Sequence, residues 1–521
     1  MINYRIFGLL IAGWLALPAL WAQTGEADPR VQFMEDITAD QVRGHIYFLA
    51  DDLLEGRETG ERGQHLAGVY LRSQFMRMGL AAGNPETGDY YQPFYLNAAE
   101  VEGGEMMVGE KSYAYGEDFV NGAGGLLATG EHELAFVGYG LQRDDYDNLD
   151  GVDLSGKVAL MLAGQPEAPD PDLSLFAQIR AWKNRGLSLA EAGASGVLMV
   201  MPDSVFSVLK RYTRRRSISI DAAAEPSMPL LYISEGMADD LLTAGGTSLE
   251  KVGKKLDGSD KLPRFKANKV ALSATSQVGF ESKSASNVLA FLEGTERPEE
   301  VLVITGHYDH VGVNNAGEIH NGADDDASGT STVLVVAEAF AKAAKAGYRP
   351  RRSILFMAVS GEEKGLLGSG FYTDHPLYPL NKTVANLNID MVGRIDPKYS
   401  QREDSMEYVY LIGSDKLSTD LHRWSEAMNE QHTQLTLDYT YNDENDPNRY
   451  YYRSDHYNFA EKGIPVIFYF NGTHEDYHKP TDDPEKIRFE KVAHIARLVF
   501  ATAWEVANQA EPPAVDVAVE D

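Results

Sequence analysis

The chain has 521 residues, too many for one ordinary domain and enough to bury a large core. Hydrophobic residues make up 43% and charged residues 24%, a composition that excludes disorder as the default. The formal charge of −31 works against nucleic acid and anionic membranes, and the absence of cysteine removes disulfides, thiol catalysis and lipid attachment at a cysteine.

Residues 1–22 read as a signal peptide: a short positive region ending at Arg5, an apolar run from Ile6 to Trp21, and small residues around Ala19 and Ala22. The run is shorter than a comfortable membrane span, so the expectation is an exported protein, periplasmic or extracellular, with no stable membrane insertion once the leader is cut. A helical part follows over residues 35–102. Val42, Ile46, Leu49 and Leu53 recur at helical spacing after Thr38, and a second run with Leu66, Val69, Tyr70, Phe75 and Met78 stops at Gly79.

Between 103 and 272 the texture changes to short apolar runs bounded by Gly, Asp and Pro. Val158–Leu162 and Gly196–Val200 read as strands of a small β-rich insert. The basic run Lys210, Arg211, Arg214, Arg215 and Arg216 reads as a solvated or ion-paired face. From 273 to 507, strand, loop and helix alternate. Val288–Leu292, Val301–Thr305, Ile354–Val359, Val384–Ile389 and Ile464–Phe470 are the strands, and Ala327–Ala346 is the clearest helix. This alternation predicts an α/β chain folded as a three-layer α/β/α sandwich. Residues 508–521, acidic and Pro-containing, are expected as a disordered tail.

Ligand-type residues sit just past the carboxyl ends of these strands, where sites form in open α/β sheets. They are Gly306-His307-Tyr308-Asp309-His310, Ser360-Gly361-Glu362-Glu363, Asp390, and the loop with His474, Glu475, Asp476 and His478. Asn321–Gly329, with Asp324, Asp325 and Asp326, opens the long helix. Any one of these motifs is more often a loop residue, an N-cap or a solvated acid than a ligand. Five at equivalent topological positions point to a metal site. Three carboxylates and a bridging hydroxide balance two divalent cations, and two imidazoles complete a shell suited to zinc. The residues alone leave open which of Glu362 and Glu363 is a ligand and which a base.

At these residues the sequence resembles the co-catalytic di-zinc aminopeptidase family, whose relatives include bacterial leucyl aminopeptidase, glutamate carboxypeptidase, glutaminyl cyclase and the transferrin receptor. Gly306-His307-x-Asp309, Gly322–Gly329, Gly361–Ser369, Asn388–Met391, Arg453-Ser-Asp-His456 and His478–Asp482 carry the resemblance. It implies a central, mostly parallel mixed sheet and two Zn2+ ions, with cobalt or manganese as substitutes. The implied metal ligands are His307, Asp325, Glu363, Asp390 and His478, with Asp325 bridging. The implied catalytic residues are Glu362 as general base and Asp309 holding the second nitrogen of His307, and the Asp325–Asp326 peptide is implied to be cis. Residues 103–272 resemble a protease-associated (PA) domain through Phe136–Gly140, Leu154–Lys157 and Ala192–Gly196. The resemblance implies a hydrolase of peptide substrates, first an aminopeptidase. A carboxypeptidase or dipeptidase would need a cationic clamp, for which Arg394 and Arg453 are placed, and a receptor-like relative would have lost ligands. His320 and His474 lie near motif residues and are not assigned as ligands.

Overall fold

Thr38 starts the first long helix with a reciprocal cap: its hydroxyl accepts from the Gln41 amide, and the Gln41 side chain accepts from the Thr38 amide. Helix α1 (Ala39–Leu49) buries Val42, Ile46 and Leu49. Leu53 does not continue that stripe, being 77% exposed beyond the helix end. Helix α2 (Arg62–Met78) ends at Gly79, whose φ of 78° suits glycine. Its phase differs from the sequence expectation: Leu66 and Val69 are exposed, while Ala67, Gly68, Leu71 and Phe75 face inward. A side chain at Gly68 would meet the Tyr308 hydroxyl at 3.3 Å, so close packing selects the small residues over the bulky ones.

The computed structural model describes residues 28–517 except 144, 167–174, 213–215, 221–227, 257–260, 263–264, 267–269 and 315. The expected signal peptide and Arg214 and Arg215 lie outside the described residues. Lys210 of the basic run pairs with Glu117 at 2.7 Å.

Strand β1 (Tyr91–Val108) leads away from the helical part to a second, smaller sheet. That sheet is built from β2 (Phe119–Ala123), β3 (Leu134–Phe136), β4 (Val158–Leu162), β5 (Gly196–Val200) and β6 (Leu230–Ile233), in the order β2-β6-β5-β4-β3. Helix α3 (Leu175–Ser188) packs on β5 and β6. β3, β4, β5 and β6 run parallel, and β2 is antiparallel to β6. The unit is therefore mixed α/β rather than purely β-rich. Its apolar runs are buried on both faces: Val158, Leu160 and Leu162 join one core, Ala159 and Met161 another.

The chain returns along β7 (Leu272–Leu292), antiparallel to β1 over nearly its whole length. There follow β8 (Arg297–His307), α4 (Ala327–Lys345), β9 (Arg352–Val359), α5 (Leu367–Asp374), β10 (Thr383–Ile389), β11 (Tyr408–Ile412), α6 (Thr419–Met428), β12 (Thr436–Asp438), α7 (His456–Glu461), β13 (Val466–Phe470) and α8 (Phe489–Asn508). The larger sheet runs β1-β7-β9-β8-β10-β13-β11-β12. Its centre, β9-β8-β10-β13, is parallel, and β7 and β11 flank it antiparallel. Alternate residues of β8 face opposite layers. Leu302 and Ile304 pack in the core with Phe340 of α4 and Phe500 of α8. Val301 and Val303 pack in another, with Tyr372 of α5 and Phe459 of α7. Helices on both faces of a mixed sheet make the expected α/β/α sandwich.

Residues 509–517 of the expected disordered tail lie against the body. Arg352 donates to Gln509 O at 2.6 Å, and the Thr419 amide donates to Asp516 at 2.9 Å. Residues 518–521 lie outside the described residues. Among the described residues no helix is long and apolar enough to cross a membrane.

Candidate metal centre and active site

Four parallel strands deliver the site. β8 ends at His307, β9 is followed by Glu362 and Glu363, β10 by Asp390, and β13 leads into the loop with His478. Asp325 comes from the turn before α4, and the Asp325–Asp326 peptide is cis. The aspartates around it hold the loops together. Asp326 caps α4 through Gly329 N at 2.8 Å, and also accepts from Met391 N and His307 N, each at 3.1 Å. One buried carboxylate thus ties the ends of β8 and β10 to the helix. Asp324 accepts from Gly393 N at 2.6 Å, and Asp482 accepts from the amides of Asp324 and Asp325 at 3.0 and 3.2 Å.

The donor atoms fall into two groups. His307, Glu362 and Asp390 form one; His310, Asp325 and Glu363 form the other, each with its ligand-type atoms within 4.8 Å of one another. His307 Nε2 lies 3.2 Å from Asp325 Oδ1 and 3.6 Å from Asp390 Oδ1, so Asp325 touches both groups. His478 Nε2 lies 3.0 Å from Asp325 Oδ2 and 3.2 Å from Glu363 Oε1. All five residues expected as metal ligands are therefore brought together. Donors bound to one tetrahedral zinc at about 2.0–2.1 Å lie about 3.3 Å apart, which these spacings bracket. His307 Nε2, Glu363 Oε1 and Asp390 Oδ1 are buried without a hydrogen-bond partner, as metal-facing atoms would be. The residues fit a pair of zinc ions.

His310 stands in the ligand-type run after β8 but is not among the residues expected as ligands. It is fully buried, with Nδ1 2.9 Å from Glu363 Oε1 and 3.9 Å from Asp325 Oδ2. Its spacing of three from His307, on the same loop, was the available signal.

The electrostatics separate the two neighbouring glutamates. Burial pushes the Glu362 carboxyl well above its ordinary range; His307 opposes this, while Glu363 and Asp390 reinforce it. Glu363 is equally buried, yet His478 and His310 hold it well below. Burial disfavours the charged form of His307, but Glu362 and Asp390 outweigh it and keep its pKa well above 6.5. His478 is raised to about 10 against burial, chiefly by Glu363 and Asp325.

Asp309 is placed differently from the expectation. His307 Nδ1 faces the Asp309 backbone carbonyl at 3.1 Å, with the carboxylate at 3.8 Å. That carboxylate instead accepts from the Thr59 hydroxyl at 2.7 Å and the Glu362 amide at 3.2 Å, so it positions the segment carrying Glu362. His474 lies outside the donor groups, with Nε2 3.2 Å from Asp324. His320 is buried beside the 312–313 strand. Arg57, also missed in the sequence, is fully buried beneath the site. It donates to the carbonyls of Tyr308 (2.9 Å), Asn321 (2.7 Å), Gly322 (3.0 Å) and Leu49. Burial lowers its pKa to about 10, with Asp309 and Asp325 opposing.

An α/β/α sandwich with histidines and carboxylates converging past the ends of its parallel strands is the layout of a metal-dependent hydrolase. Residues 287–503 match Peptidase family M28. A probable zinc metalloprotease of Pyricularia oryzae is 29% identical over 320 residues, 54% of this chain and 58% of that protein. Aminopeptidase YwaD of Bacillus subtilis is 27% identical over 385 residues, 70% of this chain and 75% of that protein. The chain spans little more than half the length of the first curated relatives it matches, 58% and 57%. Among solved structures, an aminopeptidase from Aneurinibacillus sp. strain AM-1 superposes with a TM-score of 0.60 at 19% identity, covering 94% of this chain and 98% of that one. A zinc aminopeptidase from Bacillus subtilis gives 0.56 at 19% identity, covering 92% and 98%. These two establish the shared fold.

Proposed function

We propose that the protein is an exported di-zinc aminopeptidase, which releases N-terminal residues from peptides. The observation that carries this reading is the convergence of His307, Asp325, Glu363, Asp390 and His478 on one place, their donor atoms 3.0–3.6 Å apart, with Glu362 grouped beside His307 and Asp390. His307, Asp390 and the bridging Asp325 would hold one zinc, and Glu363 and His478 with Asp325 the other. Zinc held there would polarise the scissile carbonyl and lower the pKa of water toward neutrality.

This chain's own groups then divide the work. Glu362, with its raised proton affinity, accepts the proton of the attacking water and passes it to the departing amine. Asp309 holds the Glu362 amide, and Ser454 fixes Asp390 by donating to Oδ2 at 2.7 Å. The acids facing the cleft favour a free α-amine. Met391, Phe468 and Phe470 line the same cleft and offer an apolar wall to the released side chain. Matches to aminopeptidases and zinc metalloproteases support the reading. Export is supported by the positive and then apolar residues 1–22, and cell fractionation tests it.

Zinc-restored protein is expected to cleave aminoacyl anilides with a free amine and to leave N-blocked ones intact. Cleavage of N-blocked peptides at their C-terminal residue would replace this reading with a carboxypeptidase.

A further inference from the structure

We propose that Arg453 is the carboxylate-recognition group of the substrate cleft. This deepens the aminopeptidase reading and rests on it. Arg453 lines the same cleft as Asp325, Glu362 and Asp390. Among the described residues its guanidinium makes one hydrogen bond, to the Tyr477 hydroxyl at 3.1 Å, and it lies over the Tyr450 ring at 5.0 Å. Among the described residues no carboxylate pairs with it, in a chain with 78 acidic residues against 47 basic. A guanidinium has five donors in a fork that matches a carboxylate, so most of this one's capacity is unused.

The other cation considered for such a role is not free. Arg394 reaches Asp476 at 2.8 Å, Glu475 at 3.5 Å and Asp482 at 3.7 Å. Nor do the cleft acids neutralise Arg453 in the working site. Asp325 and Asp390 belong to the metal ligands, and Glu362 takes a proton during turnover. The smaller unit adds to the excess of positive charge. Its helix α3 carries Arg180 close enough to Arg453, Tyr477 and Tyr450 for their charges to act on it. Like charges repel, so the presence of Arg180 favours an anion beside Arg453.

The anion that reaches this cleft with a peptide is a carboxylate, and it has two sources. One is the side chain of an N-terminal Glu or Asp; the other is the C-terminal carboxylate of a dipeptide. Either narrows the substrate class from peptides in general to acidic or very short ones.

The test is calorimetric binding to full-length, zinc-loaded Glu362→Gln protein, which isolates recognition from turnover. Leucylglycine is compared with leucylglycine amide, and glutamyl amide with glutaminyl amide. Adding Arg453→Met is expected to weaken one carboxylate ligand about 30-fold more than its neutral counterpart, as for a lost charge-assisted hydrogen bond. Arg453→Lys should recover part of that loss, and thermal melts confirm that both variants fold. Selective loss with leucylglycine assigns the C-terminal source, and with glutamyl amide the side-chain source. Equal losses on charged and neutral ligands overturn the proposal. Wild-type turnover of leucyl and glutamyl anilides, measured in parallel, tests the aminopeptidase reading separately.

Discussion

The site end of the larger sheet and helix α3 of the smaller unit differ in charge and in exposure. On the larger sheet, acidic groups converge, and buried aspartates fix them by accepting backbone amides: Asp326 from three, Asp482 from two. On the smaller unit, Arg180 projects from α3 as an exposed residue. Chemistry needs donors held to within a fraction of an ångström, whereas recognition of a varied substrate tolerates an adjustable cation. Substitutions at the site end should therefore have the larger effects.

The largest is expected at the paired glutamates. Glu362→Gln should lower kcat by about 10³-fold with zinc content intact, the size of a lost general base. Glu363→Gln should instead reduce the zinc content, read by elemental analysis. Next comes Arg57. Arg57→Met leaves the buried carbonyls of Tyr308, Asn321 and Gly322 without their donor and should cost about 3 kcal/mol in urea unfolding.

A smaller effect follows from His456, which burial keeps neutral with a pKa lowered from 6.5 to about 3. The unfolded chain binds a proton near pH 6.5 that the folded chain refuses until about pH 3. This contribution to stability is thus complete above pH 6.5 and is lost as the pH falls toward 3, at up to about 1.4 kcal/mol per unit. Unfolding at pH 7 and pH 5 should show about 2 kcal/mol less difference in His456→Leu than in wild type. The smallest effect belongs to the exposed side of the comparison. Arg180→Ala should weaken carboxylate ligands about threefold, as for a solvent-screened cation.

Much of this arrangement is legible in the sequence because it is local. The apolar runs that became β8, β9, β10 and β13 each end in a ligand-type residue, and parallel strands bring those ends to one edge. What depends on tertiary packing is not legible. Glu362 and Glu363 are adjacent and chemically alike, and only the facing histidines tell them apart. The alternating Tyr408-Val-Tyr-Leu-Ile412, now β11, did not stand out beside the continuous runs. Leu66 and Val69 misled because apolar residues can face solvent when a helix approaches closely enough to require Gly68. Arg57 looks like any basic loop residue until the carbonyls around it are seen.

The most direct measurement is zinc content together with leucyl-anilide hydrolysis, in wild type and Glu362→Gln. Two zinc ions per chain in both proteins, with hydrolysis in wild type alone, is the predicted result. A single zinc in wild type, or a Glu362→Gln rate equal to wild type, would contradict the assignment of the site.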